Sequence, residues 1–486
     1  MASLEELQAH REAKRDRLTQ AGMLPYPATV NRTHTNQEAL ASFAELAANG
    51  EECSLVGRIL NKRGQGSIAF LDLFDGTATI QLVFKEDETS AELFTLFTET
   101  VDTGDFIAAT GTLFETNRGA KSLLVKEWSM AAKALLPLPD SHYGIEDHET
   151  RLRKRYLDIL MHPELRELFE QKAKFWRVMR QFLEGKGFME VQTPTLETTT
   201  GGAEAEPFVT HHNDYDLDVY LRISIGELWQ KRLMAAGFPK TYEIGRAYRN
   251  EGSSPDHLQE FTNMEFYWAY ADYTMGMQLV QELYQVLAKE VFGTTSFSAR
   301  GHDFDLAGDW DRIDYRETIL QATGIDIFNT TEEAVRDYLA ANNVSHNAES
   351  FERVIDVLWK QCRKAISGPV FVIGYPDFMQ PLAKRDPDNP STVQQFQVLI
   401  AGSEIGKGYS ELNDPQDQRV RFEEQQKLRE AGDMEAMMPD YEFLEMLEHG
   451  MPPTCGFGTG DRLFAFLADK PIRETQFFPL VRPKSN

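Results

Sequence analysis

TYEIGRAYRNEGSSPDHLQEFTNMEFYWAYADY, residues 241–273, places two strand-like segments on either side of a polar loop. Arg249 and Glu251 close the first segment; Phe261 and Glu265 open the second. Pairing of the two strands would bring a guanidinium, two carboxylates and an aromatic ring onto one surface. An arginine in such a position can hold a phosphate and a carboxylate together, because its planar fork matches both. Taken alone, the same pattern also describes a surface hairpin laced with ion pairs.

Upstream, Leu165, Leu168, Phe169, Phe175, Trp176, Met179, Phe182 and Leu183 recur at three- and four-residue steps, which predicts an amphipathic helix ended by Gly185 and Gly187. Strands are expected in FMEVQTP (188–194), YLRISI (220–225), KTYEIGRAYR (240–249), FTNMEFYWAY (261–270), FVIGYP (371–376) and QFQVLIAG (395–402). Residues about 275–365 read as mostly helical and inserted. Toward the N-terminus, residues 4–20 read as a charged helix, ended by Pro25 and Pro27. SLVGRIL, SIAFLDLF, ATIQLVF, DFIAATGTLF and KSLLVKEW then alternate apolar and polar positions between the turn signals Arg63-Gly64, Asp75-Gly76 and Asn117-Arg118-Gly119. Short strands in this number suit a small closed barrel of the OB type, with a generic sandwich as the alternative. LLPLPDSHYG (135–144) reads as a linker, since its prolines interrupt strand and helix alike. The expected class is α+β: a helical extension over 1–50, a barrel over 51–134, a linker over 135–164, and an antiparallel sheet flanked by helices over 165–486.

The chain has 486 residues, 42% hydrophobic and 11% aromatic, an ordinary globular composition. No apolar run reaches the roughly 20 residues that span a bilayer, and the N-terminus is charged, without an apolar signal core. Cys53, Cys362 and Cys455 form no CxxC pair, so neither a zinc site nor a disulfide framework is suggested. A cytoplasmic enzyme without membrane contact is the default. The formal net charge of −26 argues against a nucleic-acid partner when taken globally. Contacts are local, however, and three basic stripes could serve: Arg11, Lys14, Arg15 and Arg17; Arg58, Lys62 and Arg63; Arg151, Arg153, Lys154 and Arg155. Each also reads as a solvated face.

Arg-Asn-Glu at 249–251, a loop carrying His257, then Glu260-Phe261-Thr262 and Glu265 resemble the second signature motif of class II aminoacyl-tRNA synthetases. GKGFMEVQTP with Pro194 resembles the first motif, and GFGTGDRLFAFL with Arg462 the third. A lone GxGxG is weak evidence; three motifs in order are strong. The barrel ahead of them resembles the arrangement of the lysine, aspartate and asparagine enzymes. GKGYSELNDPQDQRVRFEEQ (406–425) is similar to the lysine enzymes' stretch in particular. The resemblance spans roughly residues 5–484.

This resemblance implies a lysyl-tRNA synthetase with ATP, L-lysine and tRNA(Lys) as substrates, Mg2+ as cofactor, and a homodimer suggested by the Pro194 motif. It implies that Arg249 bridges the substrate carboxylate and the ATP α-phosphate. Glu251, His257, Phe261 and Arg462 would bind the nucleotide, with Arg249 and Arg462 as the catalytic cations. Gly202 and Glu227 would receive the α-amino group, and Glu411 and Tyr267 the ε-ammonium, within a lysine pocket that also includes Glu265, Lys407 and Tyr409. Arg63, Phe70 and Gln81 would read the anticodon, although by composition alone Phe70 reads as barrel core. Glu404 and Gln397 match metal-binding positions.

Four positions depart from the family pattern. Gln397 replaces a usual glutamate, and Lys407 a usual asparagine. GFGTGDR is one residue shorter than the usual third motif, and SIGEL (224–228) carries one residue more before Glu227. An amide can ligate Mg2+ but brings no charge. The alternatives are an aspartyl- or asparaginyl-type ligase and a non-catalytic RNA-binding relative.

Overall fold

The computed structural model describes residues 3–139, 145–252, 254–255, 257–348, 350–433 and 435–483. It divides into two compact units, residues 1–146 and 147–486. Part of the stretch read as a linker, residues 140–144, lies outside the described residues.

The first unit opens with the helix Leu4–Gln20, whose N-terminus is closed by a capping box between Ser3 and Glu6. Five strands follow: β1 (Glu52–Gln65), β2 (Ile68–Phe74), β3 (Thr79–Lys85), β4 (Phe106–Glu115) and β5 (Lys121–Ala132). They close into a barrel in the order β1-β2-β3-β5-β4, which excludes the sandwich alternative. Strict alternation sends Ala69, Leu71 and Leu73 of β2 into the core while Phe70 and Asp72 face outward. A helix that alternation did not reveal, Ala91–Thr100, buries Phe94 and Phe97 in the same core.

The second unit is built on an eight-stranded sheet in the order β14-β15-β16-β17-β18-β11-β10-β6. Its strands are β6 (Met189–Glu190), β10 (Lys240–Tyr248), β11 (Glu260–Ala269), β14 (Asp311–Asp314), β15 (Val370–Ile373), β16 (Gln395–Ile400), β17 (Ser403–Ser410) and β18 (Thr454–Gly460). The pairs β14–β15 and β10–β6 are parallel and the remaining pairs antiparallel. Beside it stand a three-stranded sheet of β7 (Leu196–Glu197), β8 (Val209–His212) and β9 (Leu217–Leu221), and a hairpin of β12 (Ser296–Ala299) and β13 (His302–Asp305). The helices Pro163–Gly185 and Tyr273–Leu287 pack one face of the large sheet, joining Phe175, Met179, Leu183, Val280, Leu283 and Tyr284 to Phe266, Phe396 and Phe457.

Two expected boundaries move. The linker does not run to 164: the second unit begins at Asp147. Buried Arg155 bonds Asp158 at 2.7 Å and the carbonyls of Glu474 and Gln476 at 2.9 and 3.2 Å. Residues 275–365 are mostly helical, as expected, but not all of them are inserted. The helix Tyr273–Leu287 belongs to the central core, and β14 is an edge strand of the main sheet. Its sequence, Asp-Arg-Ile-Asp, suits a charged edge but carries almost no apolar signal.

Candidate functional site

The cleft-facing side of the large sheet is set by cross-strand register. On β18, Gly456, Gly458 and Gly460 occupy alternate positions, opposite Tyr267, Glu265 and Asn263 of β11. On the other side, Tyr409 faces Gly456 and Lys407 faces Gly458. Cys455 and Phe457, which flank Gly456 along the strand, are buried in the core behind. The glycines therefore form a floor without side chains between two polar rows. A Cβ on Gly456 would lie 2.2 Å from Glu411 Oε1 and 2.6 Å from Tyr267 Cε1, so only glycine fits.

Above this floor lies a cleft of about 480 Å³. It is lined by every residue proposed for the chemistry: Gly202, Glu227, Arg249, Glu251, His257, Phe261, Glu265, Tyr267, Gln397, Glu404, Lys407, Tyr409, Glu411 and Arg462. Residues separated by more than 200 positions converge because β11, β17 and β18 are neighbours.

At the hairpin end, Phe261 pairs with Ala247, and the Arg249 guanidinium lies 5.3 Å from the Phe261 ring centroid. Arg249 Nε donates to the Ile223 carbonyl at 3.3 Å, and its backbone amide to Gln259 at 2.8 Å. Burial lowers the Arg249 pKa, opposed by the Glu251 and Glu265 carboxylates. Burial raises that of Glu251, opposed by Arg249. His257 Nδ1 lies 2.7 Å from Ser254 Oγ. Arg462 follows Asp461, the first residue of the helix Asp461–Leu467. Asp461 is pinned by Lys172 at 2.8 Å and by the Thr262 amide at 2.9 Å. The short third motif thus runs from strand to helix with no intervening loop.

At the other end lie Glu227, Glu265, Tyr267, Tyr409 and Glu411. Glu227 begins the helix Glu227–Ala235, entered through Gly226 in the left-handed region at φ 68°. A Cβ there would meet Thr193 at 2.2 Å, so the extra residue of SIGEL is accommodated by a glycine. Gly202, at φ 85°, lies against Glu227. The Tyr409 hydroxyl donates to Glu227. Glu265 accepts from the Ile225 amide at 2.8 Å and the Tyr267 hydroxyl at 3.1 Å. Burial, and then the Glu227 charge, push Glu265 up to about 7. Glu411 is 1% exposed. Burial raises its pKa, opposed by the Lys231 ammonium. Lys231 pairs with Glu411 Oε2, and Glu411 Oε1 has no hydrogen-bond donor. Neither Lys231 nor Glu204, whose carboxylate lies 3.6 Å from Arg353, was singled out from the sequence. The four-residue spacing of Glu227 and Lys231 was the available signal.

Glu404 and Gln397 both line the cleft, but Glu404 accepts from Trp359 Nε1 at 2.7 Å and lies 3.5 Å from Arg363. Gln397 faces Lys407 across β16 and β17. Among the described residues no group of three or more His, Cys, Asp or Glu side chains could hold a metal alone.

In the barrel, Arg63 is the cross-strand partner of Phe70, and Asp72 that of Gln81. Phe70 is half-buried on the outer face, outside the barrel core. Gln81 accepts a 2.9 Å hydrogen bond from Ser122, and Arg63 lies 3.5 Å from Asp72. The three candidates form one continuous outward patch with a ring and an amide. Among the described residues no helix is long and apolar enough to cross a membrane.

Residues 147–482 match the family of class II tRNA synthetases (D, K and N), and residues 53–131 match the OB-fold nucleic acid binding domain. The lysine–tRNA ligase of Roseiflexus castenholzii (strain DSM 13941 / HLO8) is 43% identical over 99% of both chains. That of Thermotoga maritima is 40% identical over 99% of this chain and 97% of its own. That of Bacillus subtilis (strain 168) is 39% identical over 99% of this chain and 98% of its own. With its cleft lined by the second and third motifs and relatives matched from end to end, the chain belongs to the class II tRNA synthetases, in the lysine–tRNA ligase family.

Proposed function

We propose that this chain attaches L-lysine to tRNA(Lys) through a lysyl-adenylate, as a cytoplasmic homodimer. The observation that carries the reading is Glu411: a buried carboxylate whose Oε1 has no donor and lies over Gly456 at the floor of the cleft. A buried, under-satisfied carboxylate calls for a cation, and desolvation makes a neutral or acidic side chain costly there. The ε-ammonium of lysine meets Glu411 Oε1, while Tyr267 borders it. Glu227 and the Gly202 backbone receive the α-ammonium. Arg249 holds the carboxylate against the ATP α-phosphate, with adenine on Phe261. The nucleotide is completed by Glu251, His257 and Arg462.

A carboxylate oxygen of lysine attacks the α-phosphorus, the bond to the β-phosphate oxygen breaks, and pyrophosphate leaves. The 3′-terminal hydroxyl of the tRNA then attacks the adenylate carbonyl, AMP departs with the electron pair of the broken acyl–oxygen bond, and the hydroxyl proton passes to a phosphate oxygen of the leaving AMP. No protein nucleophile is needed; alignment and neutralisation of phosphate charge by Arg249 and Arg462 carry the rate. The Glu404 carboxylate and the Gln397 amide oxygen both line the cleft and would hold Mg2+ there together with ATP phosphate oxygens, since Mg2+ is commonly held by one or two carboxylates plus phosphate. Bound there, the ion would withdraw charge from the phosphates. Phe70 would stack on an unpaired anticodon base while Gln81 reads its edge and Arg63 holds its phosphate.

Amino-acid-dependent ATP–pyrophosphate exchange tests the reading. Lysine supports exchange while aspartate and asparagine do not, and Glu411→Gln raises the lysine KM at least ~30-fold by removing a buried charge partner. Exchange with aspartate or asparagine in place of lysine would refute it.

A further inference from the structure

Lys231 lies behind the lysine pocket and does not line it. It is 1% exposed, one of the largest fully buried side chains of the chain. Its ammonium lies 2.7 Å from Glu227 Oε1 and pairs directly with Glu411 Oε2. The Tyr409 and Phe443 rings lie 5.5 and 5.9 Å from the same nitrogen. One buried cation therefore ties together two carboxylates that come from distant parts of the chain, one on a helix and one beyond the end of β17.

Those are the two carboxylates assigned to the two ammonium groups of the substrate. Each keeps one side for Lys231 and one for the cleft. Glu411 gives Oε2 to Lys231 and leaves Oε1 without a donor. Glu227 gives Oε1 to Lys231 and to the Tyr409 hydroxyl, while its Oε2 lies toward Gly202, 3.0 Å from where a Cβ on that glycine would be. Without Lys231, two buried like charges would repel, and one would take a proton or swing away.

We propose that Lys231 is a positioning residue that sets substrate chain length, clamping Glu227 and Glu411 at the separation matching the α- and ε-ammonium groups of a diamino acid of lysine's length. This rests on the lysine reading above. The substrate class is α,ω-diamino acids, and the discrimination is against those with a shorter side chain. A diamino acid one methylene shorter reaches one carboxylate but not both, and leaves a buried charge unpaired.

ATP–pyrophosphate exchange is measured with L-lysine and with L-ornithine, for the wild type and Lys231→Met, together with the ATP KM and thermal midpoint of each. The wild type should prefer lysine by ~100-fold or more in kcat/KM, since a fixed hydrogen-bonding site rejects a misplaced partner strongly. Lys231→Met should lower that preference at least ~10-fold, through the lysine KM, with the ATP KM changed less than about twofold. A merely structural role would raise both KM values and leave the lysine-to-ornithine ratio where it was. An unchanged ratio in a folded Lys231→Met overturns the clamp. So does wild-type use of ornithine within about tenfold of lysine, an outcome that needs no variant to fold. Absence of lysine-dependent exchange in the wild type would instead refute the functional reading, so the two failures are distinct.

Discussion

Glu265 sits between Tyr267 and the Glu227 charge, with a carboxyl pushed up to about 7. An ammonium substrate requires this group ionised. As pH falls through 7 the empty pocket takes up a proton that lysine must displace, so the lysine KM should rise, approaching about tenfold per pH unit well below 7. The ATP KM should stay flat over the same range, and steady-state exchange between pH 5.5 and 8.5 checks both. Glu197 is raised to about 7 as well, chiefly by burial, but for a stability reason. Trp229 donates to its Oε1 at 2.9 Å, while Oε2 is buried without a partner. Its folded pKa exceeds the ordinary value of 4.5, so its contribution to stability is present at low pH and lost as pH rises through about 7. Glu197→Gln keeps the Trp229 bond and removes the buried charge. It should stabilise the protein at pH 8 by about 3 kcal/mol, the worth of a shift from 4.5 to about 7, and be near neutral below pH 4.5, as urea midpoints would show. Single residues were unequally legible. Glu411 could be read because its neighbours in GKGYSELNDP resemble the lysine enzymes. Lys231 could not, because a Lys-Arg pair on a helix ordinarily reads as solvated, and only the fold shows which of the two is buried.

The glycine-alternating strand Thr454–Gly460 is the element on which the pocket rests. Gly456→Ala places a methyl 2.2 Å from Glu411 Oε1 and against Tyr267. Overpacking of this kind costs about 1–3 kcal/mol, so lysine activation should fall about 10- to 100-fold with ATP binding retained. Gly458→Ala meets the flexible Glu265 side chain at 3.2 Å and should cost less. Exchange assays on the two variants compare them directly. The barrel strands were legible because one face is core and one is solvent, which gives strict alternation. The helix Ala91–Thr100 between them was not, being short and embedded among strands. The edge strand Asp311–Asp314 escaped for the opposite reason: three of its four residues are charged. The missing residue of the third motif left its register open in the sequence; in the structure, pairing of Asn263 with Gly460 fixes it and the helix starts at once.

Over the whole molecule, chemistry and anticodon reading fall in separate compact units, so they should separate in experiment. Phe70→Ala should raise the KM for tRNA about 5- to 100-fold, the worth of one base–aromatic stack, and leave lysine-dependent exchange unchanged. The net charge of −26 is a global sum and does not describe a local surface such as the outward patch of Arg63, Phe70 and Gln81, the patch proposed to meet the tRNA. Composition suggested that Phe70 was core, and only the register of Ile68–Phe74 turned it outward. The central claim, transfer of lysine to tRNA(Lys), is tested most directly by the amount of radiolabelled lysine attached to that tRNA, with aspartate and asparagine run in parallel. The account predicts lysine alone on the tRNA, and its loss at limiting lysine in Glu411→Gln. Aspartate or asparagine attached instead, or tRNA bound with no amino acid attached, would contradict it.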